Sequence, residues 1–190
     1  VCIKNTNNPK APGTMIVSER KPSDNPVVGI ASAKGFLNIY LEKYLMNREI
    51  GFGRKLLQIL EEEGLSYEHT PSGIDSLNVI LRANQLNADK EMRLVDRIKN
   101  ELRVDKVEIE RNLALIMIVG EGMHEKIGVA AKAVTAIQSA NVNIEMINQG
   151  SSEVSMMFGV KEEDVEKAVA AIYEAYFEEK AYARQLEAIK

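Results

Sequence analysis

The 190-residue sequence predicts an α+β fold built from two β-α-β-β-α-β units, with the first unit inserted within the second. Two observations predict it. The chain superposes on itself at an offset of 77 residues, and one strand is left over before the first copy. Because 45% of the residues are hydrophobic, the chain can bury one or two compact cores.

The internal repeat starts at residue 37 and runs without a gap. Residues 37–41 fall on residues 114–118, and apolar side chains alternate in both segments as they do in a strand. Gly51 then falls on Gly128, at the turn that leads from each strand into a helix. Each copy continues with a strand, a turn, a strand and a second helix, so the order of elements coincides throughout.

Apolar spacing predicts the remaining elements of each copy. Residues 65–69 fall on 142–146, and their alternation predicts a second strand in each unit. The three- and four-residue spacing predicts helical stripes that include Leu57 in the first helix and Met92 in the second helix of the first copy.

One leftover strand decides how the two units are arranged. Residues 104–109 alternate and give the first unit a fourth strand, whereas the second copy ends in a helix over about 162–179. The strand predicted at 27–31 therefore completes the second unit. We expect a first unit at 35–110 and a second unit at 26–34 plus 112–180. We expect residues 1–25 to be the irregular end of a preceding domain with its linker, and 181–190 to be a C-terminal tail.

Composition excludes several classes of protein. The chain has 24 Lys+Arg against 28 Asp+Glu, a net charge of -4, which argues against nucleic-acid binding. Cys2 is the single cysteine, so no disulfide framework is possible, and two histidines leave little for a metal centre. No apolar run reaches the roughly 20 residues of a membrane span, and we expect a cytoplasmic protein.

The sequence contains no pattern of residues typical of catalysis. It lacks a phosphate-binding G-x-x-x-x-G-K-[ST] loop and a G-x-G-x-x-G fingerprint. The side chain of His69 lies on the apolar face of its predicted strand, so a partly buried structural role is expected for it. We predict no catalytic residue, no metal site and no cofactor in this chain.

Two loops of the first unit, 45–53 and 66–75, are expected to meet at one end of its sheet and to form a small-ligand site. A helix starting at 51–53 offers backbone N–H groups to a carboxylate, and Glu49, Glu68 and Asp75 could hold ammonium groups. The alternative is that these glycines and charges only form solvated turns.

Three segments then resemble the second ACT domain of aspartate kinases. They are Gly120-Glu121-Gly122-Met123, Asn143-Ile144-Glu145-Met146-Ile147-Asn148-Gln149-Gly150-Ser151-Ser152-Glu153 and Ala168-Val169-Ala170-Ala171-Ile172-Tyr173. Residues 46–52 and 68–75 resemble the first ACT domain of a monofunctional, lysine-sensitive aspartokinase, although Glu68 stands where the better-known lysine-sensitive enzymes have Asp. The segment before residue 18 is similar to the junction that follows the kinase domain in this family.

The resemblance implies two ferredoxin-like ACT domains, one inserted within the other, that regulate ATP-dependent phosphorylation of L-aspartate. The kinase domain, with its ATP and magnesium, would precede this chain. The family binds end-product amino acids between ACT domains, which implies L-lysine, or alternatively L-threonine, as effector and a homodimer as the assembly. A dimerisation region without an effector is the remaining alternative. The effector residues expected from the resemblance and from the loops are Met46, Glu49, Ile50, Gly51, Phe52, Gly53, Ser66, Tyr67, Glu68 and Asp75.

Overall fold

A computed structural model describes residues 1–18 and 25–178 of the chain, and its main feature is a five-stranded antiparallel sheet in the order β4-β3-β5-β7-β6. The strands are β1 (Cys2–Ile3), β2 (Thr14–Met15), β3 (Gly29–Glu42), β4 (Ser76–Arg82), β5 (Lys106–Val119), β6 (Met146–Gln149) and β7 (Ser155–Lys161). The helices are α1 (Phe52–Glu62), α2 (Ala88–Leu102), α3 (Val129–Ser139) and α4 (Val165–Phe177). The α+β fold class is confirmed.

Two long strands, β3 and β5, run through the whole sheet. Residues 29–33 of β3 pair with 115–119 of β5, and residues 36–42 of β3 pair with 106–113 of β5. The strands expected at 27–31 and 104–109 are therefore parts of these longer strands. We call the two ends of the sheet the α1–α2 half and the α3–α4 half, after the helices that cover them. The domain boundaries given above remain a prediction.

The boundary between the halves is marked by two β-bulges. β3 has an extra residue beside Gly35, and β5 has an extra residue beside Asn112, so the pairing shifts by one residue and then returns to its former register. Gly35 has φ 90° and Asn112 has φ 61°, the left-handed conformation that such bulges require. Since bulges increase strand twist, the sheet turns where the two halves meet.

Each half has its own apolar core between the sheet and its two helices. Ile39 lies in the first core, and Ile116 occupies the equivalent position in the second, both completely buried. A smaller cluster on the opposite, helix-free face consists of Phe36, Ile80, Leu113 and Leu115. The apolar alternation that predicted these strands is thus explained by burial against helices.

The expected strand at 65–69 is wrong. In its place are two isolated pairings with β4, from His69 to Ile80 and from Ser72 to Leu77. Pro71 lies between them and has no N–H group to donate, so a continuous ladder cannot form across it. In the α3–α4 half the corresponding strand, β6, begins at Met146, where the expected segment 142–146 ends.

The gap-free offset of 77 residues holds for the helices but fails for one strand. β7 begins at Ser155, which is 79 residues after the start of β4 at Ser76. A shift of two residues leaves the same side chains facing the core, because strand side chains alternate with a period of two.

Two stripe residues were assigned to the wrong side of their helices. Leu57 is 37% exposed and Met92 is 61% exposed, while α2 buries Leu94, Ile98 and Leu102.

The N-terminal region expected to be irregular contains a short hairpin of β1 and β2. The predicted tail at 181–190 lies outside the described residues.

Candidate functional site

The loop between β3 and α1, residues 43–51, is attached to the turn that precedes β4. The backbone N–H of Lys43 donates to the carbonyl oxygen of Asp75 at 2.9 Å, and that of Asn47 donates to Ile74 at 3.1 Å. Met46 is buried beneath the loop in the first core. These backbone hydrogen bonds fix the loop that contains Met46 to the turn that contains Asp75.

The start of helix α1 has backbone N–H groups available to a ligand. Gly51 precedes the helix with φ 80°, and in the described part of the chain no side chain caps the helix start. The N–H of Phe52 donates to the carbonyl oxygen of Glu49 at 3.3 Å, so the amides that follow it are the ones left for a ligand. Phe52 is buried and anchors the first turn, whereas Ile50 is 96% exposed. A Cβ atom built on Gly53 would meet nothing within 4 Å, so the space beside this residue is open. Since the first amides of a helix have no partner within the helix, they can bind a carboxylate here.

Glu49 is the acidic residue of this loop, and it already has two cationic partners. Its carboxylate accepts a short hydrogen bond from Nζ of Lys43 and a 2.8 Å hydrogen bond from Nζ of Lys55. Lys43 also donates to the carbonyl oxygen of Leu102 at 2.6 Å, and its Nζ lies 5.5 Å from the ring centre of Phe52. The hydrogen bonds from the two lysines, with that of Lys43 the stronger influence, lower the pKa of the Glu49 carboxyl below its ordinary value. Glu49 thus holds the loop together.

Ser66, Tyr67 and Glu68 lie far from this helix start, at the other end of β4. The N–H and hydroxyl of Ser66 donate to the side chain of Gln85 at 2.9 and 3.0 Å, respectively. The carboxylate of Glu68 lies 3.3 Å from Nε of Arg82, at the last residue of β4, whereas Asp75 precedes its first residue. Seven strand residues span roughly 20 Å.

The expectation that both predicted loops meet at one end of the sheet is therefore wrong within a single chain. The segment 66–75 runs along the edge of the sheet antiparallel to β4, so its two ends are held apart. Only the Asp75 end reaches the loop before α1.

Asp75 has an orphaned oxygen. Its Oδ1 atom is buried and has no hydrogen-bond partner within the described part of the chain. A buried acceptor of this kind is costly unless a donor satisfies it, and a bound ammonium group or a water molecule could do so.

Sequence reasoning missed Lys43 and Lys55, although they flank Glu49 at six residues on either side. Residues 43–55 pass from the end of β3 through a turn into α1, so no single periodic pattern relates these three positions. The signal that could have found them is simple opposite charge close in sequence.

The α3–α4 half repeats the same helix start. Gly128 has φ 90°, no side chain in the described ranges caps α3, and Ile127 before it is 99% exposed.

Among the described residues, no cluster of His, Cys, Asp or Glu could hold a metal ion. None of the helices in the described ranges is both long and apolar enough to cross a membrane.

Comparison with known proteins gives these features a context. A family model described as an ACT domain matches residues 116–176. Aspartokinase 3 of Bacillus subtilis is 60% identical over 177 residues, which cover 93% of this chain and 39% of that protein. The chain thus spans about two fifths of the length of this relative.

Solved structures agree with the sequence comparison. The aspartate kinase of Clostridium acetobutylicum is 45% identical, with a TM-score of 0.85 over 92% of this chain and 41% of that one. E. coli aspartokinase III in complex with lysine and aspartate has a TM-score of 0.66 and 23% identity, over 83% of this chain and 35% of that one, which shows likeness of fold.

Proposed function

We propose, from the premise that this chain belongs to the aspartokinase family as an ACT-domain regulatory region, that it binds an end-product amino acid and thereby controls ATP-dependent phosphorylation of L-aspartate. L-lysine is the effector we propose, and L-threonine is the second candidate. The kinase chemistry, with ATP and magnesium, would reside in a part of the enzyme outside this chain. We place the protein in the cytoplasm.

The observation that carries this proposal is the open helix start at Gly51–Gly53. The N–H of Phe52 already donates to the carbonyl oxygen of Glu49 at 3.3 Å, and the Phe52 ring is buried, so the direction of the amides beside it is fixed before a ligand arrives. A preorganised set of N–H groups binds the α-carboxylate of an amino acid without ordering the loop first.

Glu68 is the residue we assign to the side-chain ammonium of lysine. Among the described residues it forms an ion pair with Arg82, a half-exposed contact at 3.3 Å, and such pairs contribute little and can exchange partners. Glu49 is less suited, because Lys43 and Lys55 already neutralise it.

The distance between Glu68 and the helix start argues for a site shared by two copies. Within one chain the two groups lie at opposite ends of β4, so one small molecule cannot reach both. Ile50 and Tyr67 are exposed apolar residues, one beside each half of the site, and contact between copies would bury them. We therefore propose a homodimer in which the helix start of one protomer faces the 66–68 segment of its partner.

The lysine assignment is supported by the solved E. coli relative, which contains lysine and aspartate. Glutamate in place of a shorter acid at residue 68 would still present a carboxylate to an ammonium group. Threonine has no side-chain ammonium group, so lysine would need the Glu68 carboxylate and threonine would not.

Titration calorimetry with each of the twenty amino acids tests the proposal. We expect lysine to bind, and at a hundred times its Kd to raise the free energy of unfolding by about 2.7 kcal/mol. Glu68→Gln should weaken lysine binding about tenfold or more, because a charge-assisted hydrogen bond is lost. The matched control Glu61→Gln, at an exposed position of α1, should leave the Kd unchanged.

Other results would point elsewhere. Binding of threonine without lysine would replace the effector, and equal loss in both variants would remove Glu68 from the site. If no amino acid binds while sedimentation still shows a dimer, the chain is a dimerisation region and the sensor function is refuted.

A further inference from the structure

Two glycines in the loop after β5 lie against the backbone of the residues that lead into β3. A Cβ atom built on Gly120 would lie 2.1 Å from the carbonyl oxygen of Pro26, and one on Gly122 would lie 3.0 Å from Cα of Pro26. Gly120 has φ 172°, an extended conformation that any residue adopts. It must therefore be glycine because of space, and the space is occupied by the chain itself.

We call residues 25–28 the strap, and it is held by contacts other than the glycines. The side-chain amide of Asn25 donates to the carbonyl oxygen of Tyr176 near the end of α4 at 2.7 Å, and its Oδ1 accepts from the N–H of Val27 at 3.1 Å. Val27 is 1% exposed in the core of the α3–α4 half, and the N–H of Val28 donates to the carbonyl oxygen of Val119 at 2.8 Å. The strap is thus fixed to a helix, a loop and a strand at once.

A single strand, β3, joins the strap to the proposed effector loop. β3 begins at Gly29 and runs to Glu42, and the loop that leads to the α1 start follows it. Residues that precede the strap belong, by the sequence prediction, to the linker from the preceding domain. One strand therefore joins the point where that linker enters to the loop where an amino acid would bind.

We propose that the strap, seated on Gly120 and Gly122, is the element through which an amino acid bound at the α1 start acts on the chain that precedes residue 25. This rests on the proposed function. A shift of β3 along its axis would move Val27 within a close-packed core. It would also move Pro26 relative to Gly120 and Gly122, with which it is in close contact. Packed contacts of this kind change between discrete arrangements, since interiors do not deform continuously.

Gly120→Ala tests whether packing on Gly120 holds the strap in place, with Gly150→Ala as the matched control. A Cβ atom on Gly150 would meet nothing within 4 Å, so the same substitution is harmless there. Amide hydrogen exchange at Val27 and Val28 is the measurement. We expect exchange to be about tenfold or more faster in Gly120→Ala than in the control or the unchanged protein, because the strap must leave its seat.

The same measurement with L-lysine tests the coupling. Saturating lysine should change exchange at Val28 by about threefold or more in the unchanged protein and in Gly150→Ala. In Gly120→Ala the change at Val28 should disappear, and because the coupling is reciprocal the lysine Kd should shift by no more than about the same threefold factor. A variant that was largely unfolded would weaken lysine binding far more than that. If Gly120→Ala does not fold, Gly122→Ala, with its looser 3.0 Å contact, takes its place.

The outcomes separate the two proposals. If hydrogen exchange without ligand is the same in Gly120→Ala as in the unchanged protein, packing on Gly120 does not hold the strap. Lysine binding that leaves Val28 unaffected in the unchanged protein overturns the coupling and leaves the proposed function standing. If no amino acid binds, the proposed function and the coupling are both refuted. Hydrogen exchange without ligand still tests whether Gly120 holds the strap in place.

Discussion

Glu49→Gln is the substitution that most directly probes how the helix-start loop is held. The carboxylate of Glu49 pairs with Lys43 and Lys55, whose side chains are 20% and 42% exposed. Ion pairs with this degree of exposure contribute about 0.2–1 kcal/mol each. Glutamine keeps the volume and one acceptor oxygen but loses the charge. We therefore expect the free energy of unfolding to fall by about 1 kcal/mol at pH 7, and Tm to fall by about 2–4 °C.

The effect should depend on pH in one direction. The hydrogen bond from Lys43, followed by that from Lys55, lowers the pKa of Glu49 in the folded protein. A carboxyl group whose folded pKa is lowered stabilises the protein fully above its unfolded pKa, and this contribution is lost as the pH falls through the folded pKa. The difference between the two proteins should be constant from about pH 6 to 8 and should shrink below about pH 4.

Thermal unfolding followed by circular dichroism between pH 3 and pH 8 measures this difference at each pH. Glu61→Gln, at an exposed position of α1, is the control and should behave as the unchanged protein. Equal stability of Glu49→Gln and the unchanged protein at pH 7 would refute the role of the ion pairs. A loss that persists undiminished at pH 3 would show that shape, not charge, is responsible.

Two further substitutions test the core and a helix cap. Ile39→Ala should lower the free energy of unfolding in urea by about 2–5 kcal/mol, because Ile39 is fully buried. Leu57→Ala, at a partly exposed position, should lower it by less than about 1 kcal/mol. Similar losses in the two variants would contradict the buried and exposed faces assigned to these residues. Asn87→Ala should cost about 1 kcal/mol, since the Asn87 side chain accepts from the N–H of Lys90 at 2.9 Å at the start of α2, and Asn87→Asp should retain stability. If both Asn87 variants lose the same amount, the cap is not the cause.

The sequence predicted the fold class and the repeated strand–helix order from side-chain periodicity alone. Ile39 and Ile116 lie in equivalent buried positions as that repeat requires. The helix start at Gly51 was also predictable, because glycine is among the residues found at helix N-caps and an apolar stripe at helical spacing follows it. The family resemblance rested on short motifs and agrees with the comparisons.

Some errors came from local residues that a search for alternation ignores. Pro71, two residues after the strand expected at 65–69, interrupts the pairing of this segment with β4, and two added residues before β7 changed the repeat offset without changing which face is buried. Met92 satisfied the helical spacing, yet the helix turned a neighbouring stripe toward the sheet.

Sequence alone determined what each segment prefers to be, since periodicity and turn residues act within a few positions of one another. The tertiary structure decided which segments meet. It separated Glu68 from the helix start along β4, and it placed Pro26 on Gly120 across nearly a hundred residues of chain. These contacts depend on how whole strands and helices pack, and no local pattern encodes that packing.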